Sequence, residues 1–313
     1  MDALASNSRE SIRRGSKSFA AAARLFDRGT RERVYMLYAW CRHCDDLIDG
    51  QELGFGREAI SPAEARSRLQ RLRNQTRAAL AGEPVADPVF AGLQRVAANC
   101  HIPERYPLEL IDGFAMDVDG KRYAQLEDTL LYCYHVAGVV GVMMAHVMGA
   151  TAPDVLRRAA DLGIAFQLTN ISRDVLDDAA NGRVYLPGDW LAAAGIAPEA
   201  IAEPGLREAL YGVVERLLGV ADRYYLSANE GIRALGFRAG WAVSTAAGVY
   251  GDIGNVVRRR AARAWDRRAV VPGRRKLYWA LRGALAAIGA VTVGRARGLP
   301  PRAADLWAKP DLC

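Results

Sequence analysis

Residues 166–178 read FQLTNISRDVLDD, a helical stretch that combines apolar and acidic residues. Asn170, Asp174 and Asp178 follow one another at four-residue steps, so on an α-helix they form one polar stripe about 80° wide. Before them, apolar residues recur at three- and four-residue steps from Val155 onward, which is the spacing of a buried helical face. The sequence therefore predicts a long helix whose first half packs in a core and whose second half presents amide and carboxylate oxygens.

A second acidic stretch, YAWCRHCDDLID, occupies residues 38–49. Val34 and Leu37 upstream have the same helical spacing, so the acidic residues lie near the C-terminal end of a helix. Acidic side chains at that end oppose the helix dipole, and Asp45 and Asp49 repel each other on one face. A bridging cation would offset this repulsion, and an all-oxygen ligand set suits Mg²⁺, which takes one or two carboxylates together with substrate phosphates.

Either acidic stretch alone is also typical of a solvated helix surface. Asp-rich helices occur as well in class I terpene cyclases and in head-to-tail prenyltransferases. Two such strips, each beside an apolar helical face, favour a site in which they face each other across a helical bundle. We expect that site to bind a diphosphate through Mg²⁺, with Mn²⁺ as a substitute.

The rest of the sequence continues the helical pattern. Alternating strand-like runs are scarce, and Pro and Gly residues separate many short helical repeats. The 313 residues are 51% hydrophobic, which is ample for a large core. We predict an all-α fold, a single-domain helical bundle over residues 1–313 with a central active-site cavity. The tail from about residue 271 is rich in Arg and Pro and receives no clear assignment.

One uncharged stretch, Thr129 to Pro153, is long enough to cross a bilayer. His135 and His146 interrupt it, so we interpret it as a buried core helix. The first residues, Met1 to Phe19, contain no continuous apolar run, and the five Cys follow no export signal. We therefore expect a cytoplasmic protein with reduced thiols.

The net charge of +7 favours an anionic partner, which can be nucleic acid, an anionic membrane or a phosphorylated substrate. A basic stretch at 258–276 suits lipid headgroups, although a solvated helix face has the same composition. We expect peripheral membrane association and no nucleic-acid partner. The GSKSF run at 15–19 offers hydroxyls and a cation as a phosphate-binding edge. No dinucleotide-binding fingerprint or phosphate-binding loop is present, so no NADPH is expected.

These motifs together resemble the squalene/phytoene synthase family. The resemblance rests on YAWCRHCDDLID, on YCYHVAGVVG at 132–141 and on QLTNISRDVLDDAANGRVYLP at 167–187, with GSKSF near the start and DLWAKP near the end. It covers nearly the whole chain and is strongest to bacterial members that make phytoene. One departure is Gly15, where many members have His. The resemblance implies a class I isoprenoid synthase fold.

The resemblance also implies the residues of the site. The metal and diphosphate residues would be Asp45, Asp46, Asp49, Asn170, Asp174 and Asp178. The residues lining the substrate sites would be Ser16, Ser18, Arg42, Tyr134, Gln167, Arg173 and Tyr250. Phe19 and Tyr134 would stabilise cations through their rings. From their position after the second strip, Arg183 and Tyr185 belong either to a lid over the site that binds substrate or to an ordinary loop that ends the helix.

The implied reaction is the head-to-head condensation of two geranylgeranyl diphosphates to phytoene, the first committed step of carotenoid biosynthesis. Small residues at Ala137, Gly138 and Gly141 permit close helix packing or leave room for a long apolar chain. Transient contact with downstream carotenoid enzymes is expected as well. Two alternatives remain: a dehydrosqualene or squalene synthase acting on farnesyl diphosphate, and a non-catalytic assembly protein on the same fold.

Overall fold

The computed structural model describes residues 4, 8–10, 12, 17–50, 60–294, 298–310 and 312. Every regular element in these ranges is helical, which confirms the predicted all-α class. The α-helices are α1 (Lys17–Ala23), α2 (Arg28–Asp49), α3 (Pro62–Leu80), α4 (Pro88–Cys100), α5 (Arg105–Val118), α6 (Leu126–Cys133), α7 (Val139–Val147), α8 (Pro153–Ala180), α9 (Gly188–Ala193), α10 (Arg207–Gly231), α11 (Phe237–Arg260) and α12 (Gly273–Gly289). A π-helical turn, Tyr134–Gly138, joins α6 to α7.

Helix α2 is fixed at both ends by its own sequence. The Asp27 carboxylate accepts a hydrogen bond from the Thr30 backbone N–H at 3.0 Å, which satisfies one of the free donors of the first turn. At the other end Gly50 adopts φ 63°, the left-handed conformation in which glycine avoids a Cβ clash. The acidic strip therefore occupies the last two turns of α2, as the sequence predicts.

Helix α8 is the longest described helix, and its 28 residues span roughly 42 Å. Pro153 stands in its first turn, where the missing N–H has no helical acceptor to lose. Helices α7, α10 and α11 pack around it, so α8 lies at the centre of the bundle. Its apolar first half and polar second half thus both belong to the interior.

The apolar stretch Leu126–Val147 is the one segment in the described ranges with the length and hydropathy to cross a membrane. It packs inside the bundle, where Cys133, Val139, Val142 and Met143 are fully buried. The predicted stretch, Thr129 to Pro153, is thus buried in the core as expected, but its helix ends at Val147 and Pro153 begins α8.

The C-terminal segment returns across the bundle. Both carboxylate oxygens of buried Asp161 accept hydrogen bonds from Arg302, at 2.8 and 2.9 Å. Lys309 lies 2.9 Å from Glu109, and Tyr224 donates to the Trp307 carbonyl oxygen at 3.0 Å. One hydrophobic cluster includes residues from α2 to Leu312. This continuity supports the expectation of a single domain, which stays a prediction.

Candidate active site

A cavity of about 760 Å³ lies between α2, α8 and α11. Its polar part is lined by Arg42, Asp45, Asp117, Gln167, Asn170, Arg173, Asp174, Asp178, Arg183, Tyr185 and Tyr250. The rest of the wall is mainly apolar, with Phe26 and Val34 near the start of the chain and Val155 and Leu162 on α8. The two acidic strips therefore open onto the same space.

The polar and apolar parts of the cavity are separated along the helix axes. Asp45 and Asp174 lie near the C-terminal ends of α2 and α8, whereas Val34 and Val155 lie near the N-terminal ends. Val155 precedes Asp174 by 19 residues, which is roughly 28 Å of helix. The cavity can thus hold a molecule with a charged head and a long apolar tail.

On α2 an arginine neutralises the carboxylates. The Arg42 guanidinium donates two hydrogen bonds to Asp46 Oδ1, at 2.9 and 2.6 Å, and its Nη1 lies 2.9 Å from Asp45 Oδ2. Asp45 lines the cavity, but Asp46 does not and serves as the partner of Arg42. Asp46, which was predicted as a metal and diphosphate residue, therefore lies outside the cavity wall and contacts Arg42, which lines it. The Asp49 side chain lies outside the described part of the structure.

On α8 the charges are less evenly balanced. Arg173 clamps both oxygens of Asp174, and Arg268 approaches the same carboxylate at 3.3 Å. Burial, followed by the charge of Asp174, raises the pKa of Asp178 to about 8, although the charge of Arg183 opposes the rise. Asp178 is therefore a carboxyl group that lacks sufficient positive charge nearby.

Asn170 provides a further oxygen that is poorly satisfied. Its amide nitrogen donates to Gln167 at 3.4 Å, while its Oδ1 is buried and has no hydrogen-bond partner among the described residues. A buried acceptor without a donor is destabilising unless something else binds it. The oxygens of Asn170, Asp174 and Asp178 suit a hard cation such as Mg²⁺. In the described ranges no three His, Cys, Asp or Glu side chains form a ready-made cage, but Mg²⁺ is usually completed by substrate phosphates.

A tyrosine–aspartate cluster forms another part of the wall. Asp117 accepts hydrogen bonds from the Tyr132 hydroxyl at 3.0 Å and from the Tyr185 hydroxyl at 2.9 Å. The two rings stack with their centroids 4.5 Å apart. Burial and the charge of Asp117 raise the pKa of both phenols, so they remain protonated donors. Tyr185 is buried and held by this cluster, so it forms part of the cavity wall, and its role in a lid stays a prediction.

Tyr134 lies outside the cavity wall, so its predicted role at the substrate stays a prediction. Tyr134 is fully buried away from the cavity, and its hydroxyl donates to Glu109 at 2.6 Å. Tyr132, two residues earlier, lines the cavity instead. Two residues correspond to roughly 200° around an α-helix, so both cannot face the same space. The sequence gives both tyrosines in one motif, YCYHVAGVVG, and the helical angle is the signal that separates them.

The small residues of this motif bring helices together. A Cβ added at Gly141 would lie 2.2 Å from the Ala159 carbonyl oxygen, and one added at Gly163 would lie 2.1 Å from the Ala137 carbonyl oxygen. Both glycines also border the cavity. Of the predicted small residues, Gly141 therefore permits close contact of α7 with α8 and also borders the cavity, so both alternatives for this motif fit the structure.

The remaining predicted residues fall into two groups. Gln167, Arg173, Arg183 and Tyr250 line the cavity, and the Tyr250 ring stacks on Phe166 with centroids 4.3 Å apart. Outside the described residues lie Ser16 and the side chains of Ser18 and Phe19. The structure also adds the cavity residues Asp117, Arg268 and Lys276, and it adds Tyr132, which lies in the motif YCYHVAGVVG but was not among the predicted site residues.

Comparison with known proteins agrees with this arrangement. The squalene/phytoene synthase family model matches residues 12–275. The chain is 50% identical over 307 residues to a phytoene synthase of Pseudescherichia vulneris, with 98% of each chain covered. It is 48% identical to a 15-cis-phytoene synthase of Pantoea ananas, with 96% of each covered.

The structure is also similar to a solved one. A crystal structure of a dehydrosqualene synthase in complex with ligand matches with a TM-score of 0.80 and 28% identity, covering 90% of this chain and 95% of that chain. Sequence, fold and the two converging strips therefore agree, and the chain belongs to the squalene/phytoene synthase family.

Proposed function

We propose that this chain is a prenyltransferase that condenses two geranylgeranyl diphosphates head to head, through prephytoene diphosphate, into phytoene. The observation that carries the proposal is the convergence of the α2 and α8 strips on one end of a long, mainly apolar cavity. The names of the relatives with 48–50% identity, phytoene synthase and 15-cis-phytoene synthase, support the same activity.

The α8 strip would hold the divalent cation, together with Asp45 across the cavity. Asn170 and Asp178 fit it, because the Asn170 oxygen has no hydrogen-bond partner among the described residues and the Asp178 carboxyl has a raised pKa. Asp174 lies between them on the strip and lines the same cavity, although Arg173 and Arg268 already contact it. When bound, Mg²⁺ or Mn²⁺ supplies positive charge against the negative charge that develops on a departing diphosphate.

Arg42 and Arg173 would position the diphosphate. Each already lies against a cavity carboxylate, Asp45 or Asp174. Both guanidiniums line the cavity, so they can donate charge-assisted hydrogen bonds to phosphate oxygens. Arg183, Arg268 and Lys276 add positive charge along the same wall. These cations favour the leaving diphosphate more than the bound ester, which is the direction that accelerates ionisation.

The rest of the cavity protects the carbocation. One substrate loses diphosphate, the resulting allyl cation bonds to the double bond of the second substrate, and proton loss closes a cyclopropane. The second diphosphate then leaves, the ring rearranges, and another proton is lost. Apolar walls exclude the water that would quench each cation, and the Tyr250 and Phe166 rings face the same space. No electrons are transferred, so the condensation to phytoene needs no NADPH.

The test is a product assay with purified chain and Mg²⁺. Geranylgeranyl and farnesyl diphosphates are supplied separately, each with and without NADPH. We expect phytoene from the C20 substrate and an unchanged product when NADPH is added. A preference for farnesyl diphosphate would indicate dehydrosqualene synthesis, and a product that changes with NADPH would indicate squalene synthesis. No turnover of either substrate would support a non-catalytic assembly protein.

We also propose that the chain works at the cytoplasmic face of a membrane, since both the substrate tails and the product are apolar. The excess of basic residues supports an anionic surface.

A further inference from the structure

Helix α12 has apolar residues on two opposite faces. One face packs on α11, where Gly283 and Ala287 are buried and Gly283 lies against Thr245. The other face exposes Leu277, Leu281 and Leu285 at four-residue steps, with exposed fractions of 63%, 62% and 70%. We call the exposed side chains of Leu277, Tyr278, Leu281, Leu285 and Ile288 the α12 stripe. A soluble surface rarely groups so many large apolar side chains without a partner.

The α12 stripe is continuous along its helix. Its members occupy an arc of about 100°, opposite the packed face, and extend over roughly 16 Å from Leu277 to Ile288. This is the geometry of an interfacial amphipathic helix lying parallel to a membrane plane. Val270, in the loop before α12, extends the apolar surface and is 61% exposed.

The positive charge of the chain is concentrated beside this stripe. Residues 258–282 contain ten Arg and Lys and one Asp, a net charge of +9. The rest of the chain contains 32 Arg and Lys and 34 Asp and Glu, a net charge of −2. Arg274 stands on the stripe at its N-terminal end, and Arg282 flanks it; both are exposed. A general excess of Arg in the composition would not produce this asymmetry.

The stripe begins next to the cavity. The loop before α12 contributes Val270 and Val271 to the cavity wall, and the first turn of α12 contributes Lys276. A surface that touches lipid at Val270 and Leu277 therefore borders the space in which the apolar chains would lie.

We propose that the α12 stripe and its flanking cations form the surface by which this protein docks on an anionic bilayer. The leucines enter the acyl boundary, and Arg274 and Arg282 bind lipid phosphates. The proposal rests on the proposed function in one respect: a hydrocarbon product leaves more readily into lipid than into water. Charge complementarity selects a lipid surface over a second copy of the chain, because two copies facing each other would oppose net charges of the same sign. Exposed leucines select lipid over nucleic acid, whose backbone offers them no apolar partner.

The experiment measures partitioning of the full-length chain onto vesicles of phosphatidylglycerol and phosphatidylcholine, against phosphatidylcholine alone. The test variant is L277Q/L281Q/L285Q, and the matched control is L226Q on α10, where Leu226 is 68% exposed. We expect the triple variant to bind anionic vesicles at least about tenfold more weakly and L226Q to change little. R274Q/R282Q should weaken binding to anionic vesicles alone, whereas R71Q/R77Q on α3, which removes the same charge elsewhere, should not.

Equal binding of the wild-type chain to both vesicle types, or wild-type binding by the triple variant, would overturn the proposal. So would a wild-type dimer that the triple variant converts to monomer while no vesicles are bound, or binding of duplex DNA in place of vesicles. Circular dichroism confirms that each variant is folded. Turnover of detergent-dispersed geranylgeranyl diphosphate keeps the two proposals separate, because it should be the same in all variants and fails in the wild type only if the proposed function is wrong.

Discussion

The acidic strips of α2 and α8 look alike in sequence but differ in how the protein satisfies them. On α2, Arg42 contacts both Asp45 and Asp46 through local i+3 and i+4 spacing. On α8, Arg173 satisfies Asp174, but Asp178 has a raised pKa and the Asn170 oxygen has no partner in the described ranges. The difference indicates that the α8 strip depends more on an added cation, whereas the α2 strip is largely neutralised by its own helix.

The largest expected effect is the loss of activity when Asp174 on α8 or Asp45 on α2 is replaced. Asp174→Asn should lower kcat/KM by about 10³-fold, because it removes an oxygen ligand and leaves the Arg173 guanidinium without its partner. Asp45→Asn should lower it by about 10²-fold, because Arg42 keeps Asp46. Near wild-type turnover in both variants at saturating Mg²⁺ would break the assignment of the strips, and equal losses would remove the difference between them.

A stability measurement tests the unbalanced charge of Asp178. Burial and Asp174 raise its pKa from 3.8 to about 8, so the folded state favours the protonated carboxyl. That contribution to stability is complete below about pH 4 and is lost as the pH rises towards 8. In a chelating buffer at pH 9, Asp178→Asn should therefore increase the free energy of unfolding by about 2 kcal/mol, and this gain should shrink as the pH falls to 4.

The control for this measurement is Asp46→Asn on α2. Asp46 receives two hydrogen bonds from Arg42, so its replacement should reduce the free energy of unfolding by about 1 kcal/mol at pH 7. Urea denaturation of both variants shows whether each substitution increases or decreases the free energy of unfolding. Destabilisation by Asp178→Asn at pH 9 would show that its carboxylate is already well paired.

The unpartnered oxygen of Asn170 predicts a metal-dependent effect. Mg²⁺ with inorganic diphosphate should raise the melting temperature of the wild-type chain, since a ligand at about 100 times its Kd contributes about 2.7 kcal/mol. Asn170→Ala should reduce this increment by about half while leaving the metal-free melting temperature nearly unchanged. An increment of wild-type size in Asn170→Ala, measured by calorimetry, would remove Asn170 from the ligand set.

The smallest expected effects separate the two tyrosines of the YCYHVAGVVG motif. Tyr132→Phe removes a donor to Asp117 at the cavity wall and should lower kcat/KM by about tenfold. Tyr134→Phe removes the bond to Glu109 in the core and should reduce the free energy of unfolding by about 1 kcal/mol with little change in kcat/KM. The reverse pattern in steady-state kinetics and urea denaturation would return Tyr134 to the site.

Local spacing is what made the strips predictable. The steps from Asn170 to Asp174 to Asp178, and the Asp45 carboxylate near the end of α2, follow from helical geometry alone. The interpretation of Thr129 to Pro153 as a buried core segment rests on the polar residues that interrupt it, and the structure buries its helical part, which ends at Val147. The periodicity of the sequence can therefore predict features that lie within a single helix.

Helical periodicity does not predict contacts between segments that are far apart in the sequence. Arg268 contacts Asp174 although the two are 94 residues apart in the sequence, and Tyr185 contacts Asp117 although they are 68 residues apart. The helical angle separates Tyr132 from Tyr134, but only the packing of α6 and the π-turn within the bundle determines which of the two faces the cavity. The sequence also does not show which face of α12 is exposed, because both faces are apolar.

Product analysis with geranylgeranyl diphosphate and Mg²⁺ tests whether the two strips act together on one pair of C20 diphosphates. The wild-type chain, Asp45→Asn and Asp174→Asn are incubated with this single substrate, and both hydrocarbon and free diphosphate are quantified. We expect phytoene and two diphosphates per product from the wild type, with both falling steeply in each variant. Phytoene formed at the wild-type rate by either variant, or diphosphate release by the wild type without a C40 product, would contradict this expectation.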